Sequence, residues 1–241
     1  MATRNVHHVY KGSVSLQDFI IFQPDRQPMM PMVELPRNLN PFYEDGVRIY
    51  AKMMSTLPAN SVKSLQLCET RHQDHCRVPR YSSGSTVISM SLIARALCGI
   101  IDTRPFLSNN TSWTNLQLIV ERRWSTPTST PTLNEMNWKA HFRWTDPQIL
   151  TQLPEINVFC CGMGTSGTMT GVGTYLKEAK PRGHRLFDVC TKAGDGVPCP
   201  RSFALMSPVE FPWRAAVDTI EEVGSPECYR LCVEMTALPA F

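Results

Sequence analysis

Apolar positions in this chain fall into short runs separated by Pro, Gly and Asn, and the runs differ in period. Residues 1–46 hold Pro24, Pro28, Pro31, Pro36 and Pro41 between small apolar pieces. That spacing predicts an arm lying over a core, with at most edge strands. Val47–Met54 (VRIYAKMM) follows Gly46 and predicts the first good strand. Thr86–Cys98 predicts a helix that is apolar all round, with Arg95 as its only charge, and such a helix belongs in a core. Ser85 or Thr86 suits its start and Gly99 its end. Residues 106–136, and WSTPTSTP within them, read as loop or linker. Beyond them the pattern predicts a short helix over Thr145–Gln152, a buried strand over Ile156–Cys161 and a helix over Met169–Ala179. Leu186–Cys190 and Val217–Val223 read as strands around a Lys192–Pro200 loop. Ser225, Pro226 and Glu227 open a last helix as cap, first turn and acid. Alternating strands and helices predict an α/β fold with a mostly parallel sheet. No internal repeat or heptad pattern is visible.

Composition narrows the function classes. At 241 residues the chain forms one large domain or two small ones. Its 42% hydrophobic and 19% charged residues are those of a globular protein. The formal net charge is only +3 and the basic residues are scattered, which points away from nucleic acid and from anionic membrane surfaces. No apolar run is long enough for a bilayer span, and Met1–Tyr10 lacks the apolar core of a secretory signal. Nine cysteines at irregular spacing predict a reducing, cytoplasmic setting rather than a disulfide framework.

Three segments carry chemistry. In Ile156–Lys177 (INVFCCGMGTSGTMTGVGTYLK) a strand runs through Gly162, Gly164 and Gly167 into a helix. Glycines let the backbone approach a ligand closely, and the helix start offers free N–H groups, so the pattern predicts an anion cradle. Thr165, Ser166 and Thr168 add hydroxyls suited to a phosphate monoester. Gly162-x-Gly164-x-x-Gly167 also matches the dinucleotide fingerprint, with Asp188 as a loose candidate for its acid, so an NAD-binding Rossmann-type protein is one alternative. Tyr81–Thr86 (YSSGST) places hydroxyls and a glycine at another helix start, either as a carboxylate cradle or as an ordinary cap. Lys63, in NSVKS, is either a solvated lysine or, if held in a partly apolar pocket, an amine of lowered pKa able to form a Schiff base. A reactive lysine, a carboxylate cradle and a phosphate cradle together are the parts of an amino-acid enzyme that uses pyridoxal phosphate.

In these motifs the chain resembles the β-family (fold type II, tryptophan synthase β-like) of pyridoxal-phosphate enzymes, cysteine synthase and cystathionine β-synthase above all. Ser61-Val62-Lys63 resembles the family's cofactor-lysine motif, and Ser82-Ser83-Gly84-Ser85-Thr86 its substrate loop. Asn137, His141, Thr145, Pro147 and Ile149 resemble its N-x-x-x-H-x-x-x-T-G-P-E-I stretch. Gly162 to Lys177 resembles its phosphate loop and helix, and Met32-Val33-Glu34-Leu35 its opening. The resemblance implies two lobes of mostly parallel sheet flanked by helices. The arm would span 1–46 and the catalytic domain 47–241, with a reduced smaller lobe at about 80–150. It implies that Lys63 holds pyridoxal 5'-phosphate and carries the substrate's α-proton. Gly164, Thr165, Ser166, Gly167 and Thr168 would bind the phosphate, and Ser85 the cofactor ring. Ser82, Ser83, Gly84 and Thr86 would bind the substrate carboxylate. It implies β-elimination and β-replacement on serine-type amino acids, as in cysteine synthesis, by a homodimer.

The departures from the family are specific. Ser85 stands in place of asparagine, Ser166 and Asp146 in place of glycines, and Pro131 in place of a substrate-binding glutamine. The stretches from Lys63 to Ser82 and from Ile100 to Asn137 are shorter than in the family, and no serine-containing segment for the pyridine nitrogen follows Thr236–Phe241. These shortenings support an alternative, a truncated relative without activity that at most binds the cofactor or a partner. Cys68–Cys76, with His72 and His75, has zinc-type ligands at no common zinc spacing and reads as a polar loop, so no metal is expected. Cys160 and Cys161 read as core residues, and Trp138, Trp144 and Trp213 as core or interface residues.

Overall fold

The structure, a computed structural model, describes residues 28–57, 60–65, 81–82, 88–89, 106–107, 135–195, 201–206, 209 and 211–237. In chain order, β1 (Met32–Glu34) and β2 (Tyr50–Lys52) form an antiparallel pair. β3 (Tyr81–Ser82) and β4 (Phe106–Leu107) form a short parallel pair. Then follow α1 (Met136–Ala140), a π-helical segment (His141–Thr145) and α2 (Asp146–Gln152), continuous with one another. The remaining elements are β5 (Val158–Gly162), α3 (Gly167–Ala179), β6 (Arg185–Thr191), α4 (Trp213–Ala216), β7 (Thr219–Val223) and α5 (Ser225–Ala237).

β5, β6 and β7 make a parallel sheet in that order. Parallel neighbours need a crossover, and α3 supplies the first one. Its buried Met169, Val172 and Leu176 recur on one face and pack with Leu186 of β6 and Ile149 of α2. A second core lies at the carboxyl ends of the strands, where Met163, Cys190, Met206, Val209, Phe211 and Trp213 meet. A third joins Met30, Leu57 and Leu65 to Ala140 and Trp144, so the segment after residue 27 is part of the core. No helix among the described residues is long and apolar enough to cross a membrane.

Several expectations are corrected. The strand expected over Val47–Met54 is only Tyr50–Lys52, because Met54–Thr56 turns into a 3-10 helix. The helix expected over Thr145–Gln152 begins at Met136, inside the stretch expected as linker, and β4 also lies in that stretch. β5 is not a buried strand. It is an edge strand of the described sheet, so Val158 and Cys160 are exposed, while Phe159 and Cys161 pack on the core from the other face. α3 starts two residues before the expected Met169, since Gly167 and Thr168 are already helical. α5 begins where expected, but Ser225 is not its cap. The Ser225 hydroxyl and main-chain N–H both donate to Asp195, at 2.7 and 2.9 Å. Trp144 and Trp213 are core residues, as one of their two readings held. Residues 88–89 are helical, and the rest of the expected Thr86–Cys98 helix lies outside the described residues.

Candidate functional site

The site gathers where β5 turns into α3, with one wall from the helical turn at 63–65 and another from α1. The turn is made by Ser166, whose φ of 59° is left-handed, an uncommon conformation for a residue with a Cβ. α3 is 13 residues long, and its first-turn N–H groups have no acceptor within the helix. They face the loop with the positive end of the helix dipole behind them.

Lys63 reaches this loop. Its Nζ donates to Thr165 Oγ1 at 3.1 Å and to Asn137 Oδ1 at 3.4 Å. Asn137 Nδ2 donates to the same Thr165 oxygen at 2.8 Å. Thr165 Oγ1 thus accepts twice, and its single O–H is left to donate elsewhere. Both acceptors of Lys63 are neutral. Burial, with the Arg201 charge second, lowers its pKa from 10.5 to about 8, so about a tenth of the amine is unprotonated at about pH 7, far more than for an ordinary lysine. Arg201 is held nearby at the carboxyl ends of the strands. Its main-chain N–H donates to Met163 O at 2.6 Å, and its carbonyl accepts from the Thr191 N–H at 3.2 Å. The Lys63 amine, the Arg201 charge near it and a helix start meet at this loop, whose carboxylate neighbour Asp188 is engaged by Ser166 from beneath, and the positive groups favour an anion.

α1 is placed by two glycines of α3. A Cβ on Gly167 would lie 2.5 Å from Asn137 Oδ1, and one on Gly171 would lie 2.5 Å from both His141 Cβ and the Trp138 carbonyl oxygen. Asn137 and His141 are one turn apart, as are Gly167 and Gly171, so one row of side chains nests on a row without any. His141 is buried, and burial followed by the Lys63 charge lowers its pKa to about 3, so it is a neutral imidazole. Its two ring nitrogens meet Thr145 Oγ1 at 2.9 Å and Thr168 Oγ1 at 3.2 Å. Ser166 Oγ donates to Asp188 Oδ2 at 3.3 Å. Asp188 is fully buried in the middle of β6, and burial raises its pKa to about 6. It lies under the loop rather than at a strand end, where a ribose-binding acid would be needed.

Of the residues expected at the site, Lys63, Gly164, Thr165, Ser166, Gly167 and Thr168 come together here. Ser82 is in β3, and Ser83, Gly84, Ser85 and Thr86 lie outside the described residues. Asn137 and His141 were visible as motif residues without assigned roles. Their signal is the matched four-residue spacing of Asn137/His141 and Gly167/Gly171. Arg201 carried no sequence signal, because the fold alone brings it to Lys63. Asp188, expected only as a loose dinucleotide acid, is instead the partner of Ser166. Among the described residues no cluster of His, Cys, Asp and Glu has the makings of a metal site.

No family model matches the chain. Over 49 residues it is 47% identical to cysteine synthase 3 of Caenorhabditis elegans, a match that covers 20% of this chain and 14% of the worm protein. In three dimensions it resembles an O-acetylserine-dependent cystathionine β-synthase from Helicobacter pylori, with a TM-score of 0.66 at 19% identity over 88% of this chain and 81% of that one. A hydrogen sulfide-producing enzyme from Fusobacterium nucleatum superposes with a TM-score of 0.67 at 18% identity, over 88% of this chain and 82% of that one.

Proposed function

We propose that this chain, whose fold is that of the fold type II pyridoxal-phosphate enzymes, binds pyridoxal 5'-phosphate at Lys63 and catalyses β-elimination and β-replacement on serine-type amino acids. The observation that carries this reading is the Lys63 amine, lowered to about 8 and 3.1 Å from the Thr165 hydroxyl of a glycine loop. The residues fit the group. An amine with only neutral partners suits an aldehyde, and free N–H groups at the start of a long helix suit its phosphate. The bound cofactor would supply an electron sink for the carbanion formed when the substrate's α-proton leaves. Lys63 would be the base placed to take that proton and to return it. The main-chain N–H groups of Gly164–Thr168 and the free O–H of Thr165 would hold the phosphate. Asn137 fixes Thr165, and His141 fixes Thr168.

The substrate we propose is a small amino acid such as serine or an O-activated serine, with its carboxylate taken by Ser82, Ser83, Gly84 and Thr86 and the cofactor ring by Ser85. The similarity of a 49-residue segment to a cysteine synthase supports cysteine synthesis among such reactions. The setting we propose is a cytoplasmic homodimer without a nucleic-acid partner. Free thiols at Cys160, Cys161, Cys190, Cys228 and Cys232 support the reducing compartment.

The test is an absorbance titration of the purified chain with pyridoxal phosphate, followed by borohydride reduction and peptide mapping. The reading expects a yellow complex, the reduced adduct on Lys63, and a spectral change on adding O-acetylserine. A folded chain that stays colourless overturns it. The shortened stretches after Lys63 and after Ile100 favour a second reading, a cofactor-binding relative without turnover. Colour on Lys63 with no response to O-acetylserine selects that one.

A further inference from the structure

Two irregularities of this chain touch each other. One is Ser166, left-handed at φ 59° where a glycine is the natural choice. The other is Asp188, a fully buried acid in the central strand of a parallel sheet, a position normally filled by apolar residues. Asp188 Oδ2 accepts the Ser166 hydroxyl at 3.3 Å, while Oδ1 has no partner. A buried carboxyl with one oxygen unpartnered is costly to a fold, so its bond to Ser166 needs a reason.

We propose that Asp188 is a positioning residue for the phosphate loop: by accepting the Ser166 hydroxyl it holds that residue left-handed and so aims the N–H groups at the start of α3 toward the bound phosphate. The bond joins the side chain of the left-handed loop residue to the middle strand of the described sheet. It turns the Ser166 hydroxyl away from the anion, which leaves this residue only its main-chain N–H to offer. The acid and the serine therefore act as a unit, and a glycine in place of Ser166 would make the acid unnecessary.

The inference rests on the phosphate-loop reading above, and its test separates the two. The measurement is the affinity for inorganic phosphate, by thermal protection, and for pyridoxal phosphate, by absorbance, in a double-mutant cycle. Asp188→Val and Ser166→Ala should each weaken binding about tenfold. Asp188→Asn, which keeps an acceptor, should retain most of the affinity. Ser166→Gly should lose less affinity than Ser166→Ala, and adding Asp188→Val to it should change nothing further. Equal losses from Asp188→Val in the natural chain and in the Ser166→Gly variant, or no loss in either, overturn the positioning role. If Asp188→Val does not fold, the Ser166→Ala and Ser166→Gly pair decides alone: equal affinities overturn the proposal. Phosphate binding without colour on Lys63 sinks the proposed function and leaves the cycle valid, whereas a natural chain that binds neither ligand sinks both.

Discussion

Lys63 and Asn137 share one acceptor, the Thr165 hydroxyl, although the three residues come from three separate elements. Replacing Thr165 with Val removes that acceptor while keeping the side chain's shape. The Asn137 amide and the Lys63 ammonium then lose their common partner, at a cost of about 1–3 kcal/mol in stability. The O–H proposed to donate to the phosphate goes with it. Thr165→Val should therefore lower both the denaturation midpoint and the affinity for pyridoxal phosphate, while Thr165→Ser should keep the affinity.

The lowered pKa of Lys63 has a signed effect on stability. In the folded chain the amine titrates at about 8 rather than 10.5. Between those values the unfolded chain holds a proton that the folded chain does not, so stability from this group rises as pH climbs from 8 to 10.5. Below that window both states are protonated and the cost of the shielded charge is complete. Lys63→Met should therefore stabilise the chain at about pH 7, by on the order of 1–3 kcal/mol, with the gain vanishing above pH 10.5. Urea denaturation of both proteins at about pH 7 and about pH 10 measures the difference. The same variant should bind no pyridoxal phosphate covalently.

Arg201 is the second cause of that lowered pKa, after burial. Arg201→Met should raise the Lys63 pKa part of the way toward 10.5, because burial remains. The pH dependence of borohydride-trapped adduct formation on Lys63 should have its midpoint at about 8 in the natural chain and higher in the variant. Identical midpoints would show that the guanidinium does not act on the amine.

The meeting of Lys63 with the glycine loop was legible because both belong to short motifs of consecutive residues. The parallel sheet was legible as well, since α3 and β6 keep strong periodicity. The outer faces were not. Ile156–Cys161 is apolar enough for a buried strand, yet in the described sheet β5 has a neighbour on one side only, and Val158 is 53% exposed. α1 was missed because Met136–Ala140 continues into a π-helical segment, which shifts the apolar period. Arg201 and the Ser166–Asp188 pair depend on contacts between distant segments, and no local pattern encodes those.

The glycine seam between α1 and α3 separates two kinds of damage. A Cβ at Gly171 meets the Trp138 carbonyl oxygen at 2.5 Å and His141 Cβ at the same distance. Backbone cannot yield there, so Gly171→Ala should cost about 1–3 kcal/mol of global stability. The three atoms nearest a Cβ at Gly167 all belong to the Asn137 side chain, which can rotate away. Gly167→Ala should therefore cost less stability than Gly171→Ala yet bind the cofactor more weakly, because Asn137 no longer holds Thr165. Thermal melts and absorbance titrations on the two variants should rank them in opposite orders.

The segment before β1 is pinned by a polar hub rather than by apolar contact alone. Gln148 Oε1 accepts from the Met30 N–H at 3.0 Å and from Lys52 Nζ at 3.1 Å. Lys52 also donates to the Met30 carbonyl at 2.8 Å and to Gln152 Oε1, and Gln152 Nε2 donates to that carbonyl at 3.0 Å. All of these acceptors are neutral, and burial lowers Lys52 to about 8. Gln148→Leu removes an acceptor from one main-chain and one charged donor, so it should cost about 1–3 kcal/mol. It should also speed hydrogen exchange at the Met30 amide more than at amides of β6. Gln148→Glu keeps the acceptor and adds a negative charge beside Lys52, so it should restore protection at Met30 and raise the Lys52 pKa. Equal exchange rates at Met30 in the Leu and Glu variants would show that Gln148 does not anchor the segment.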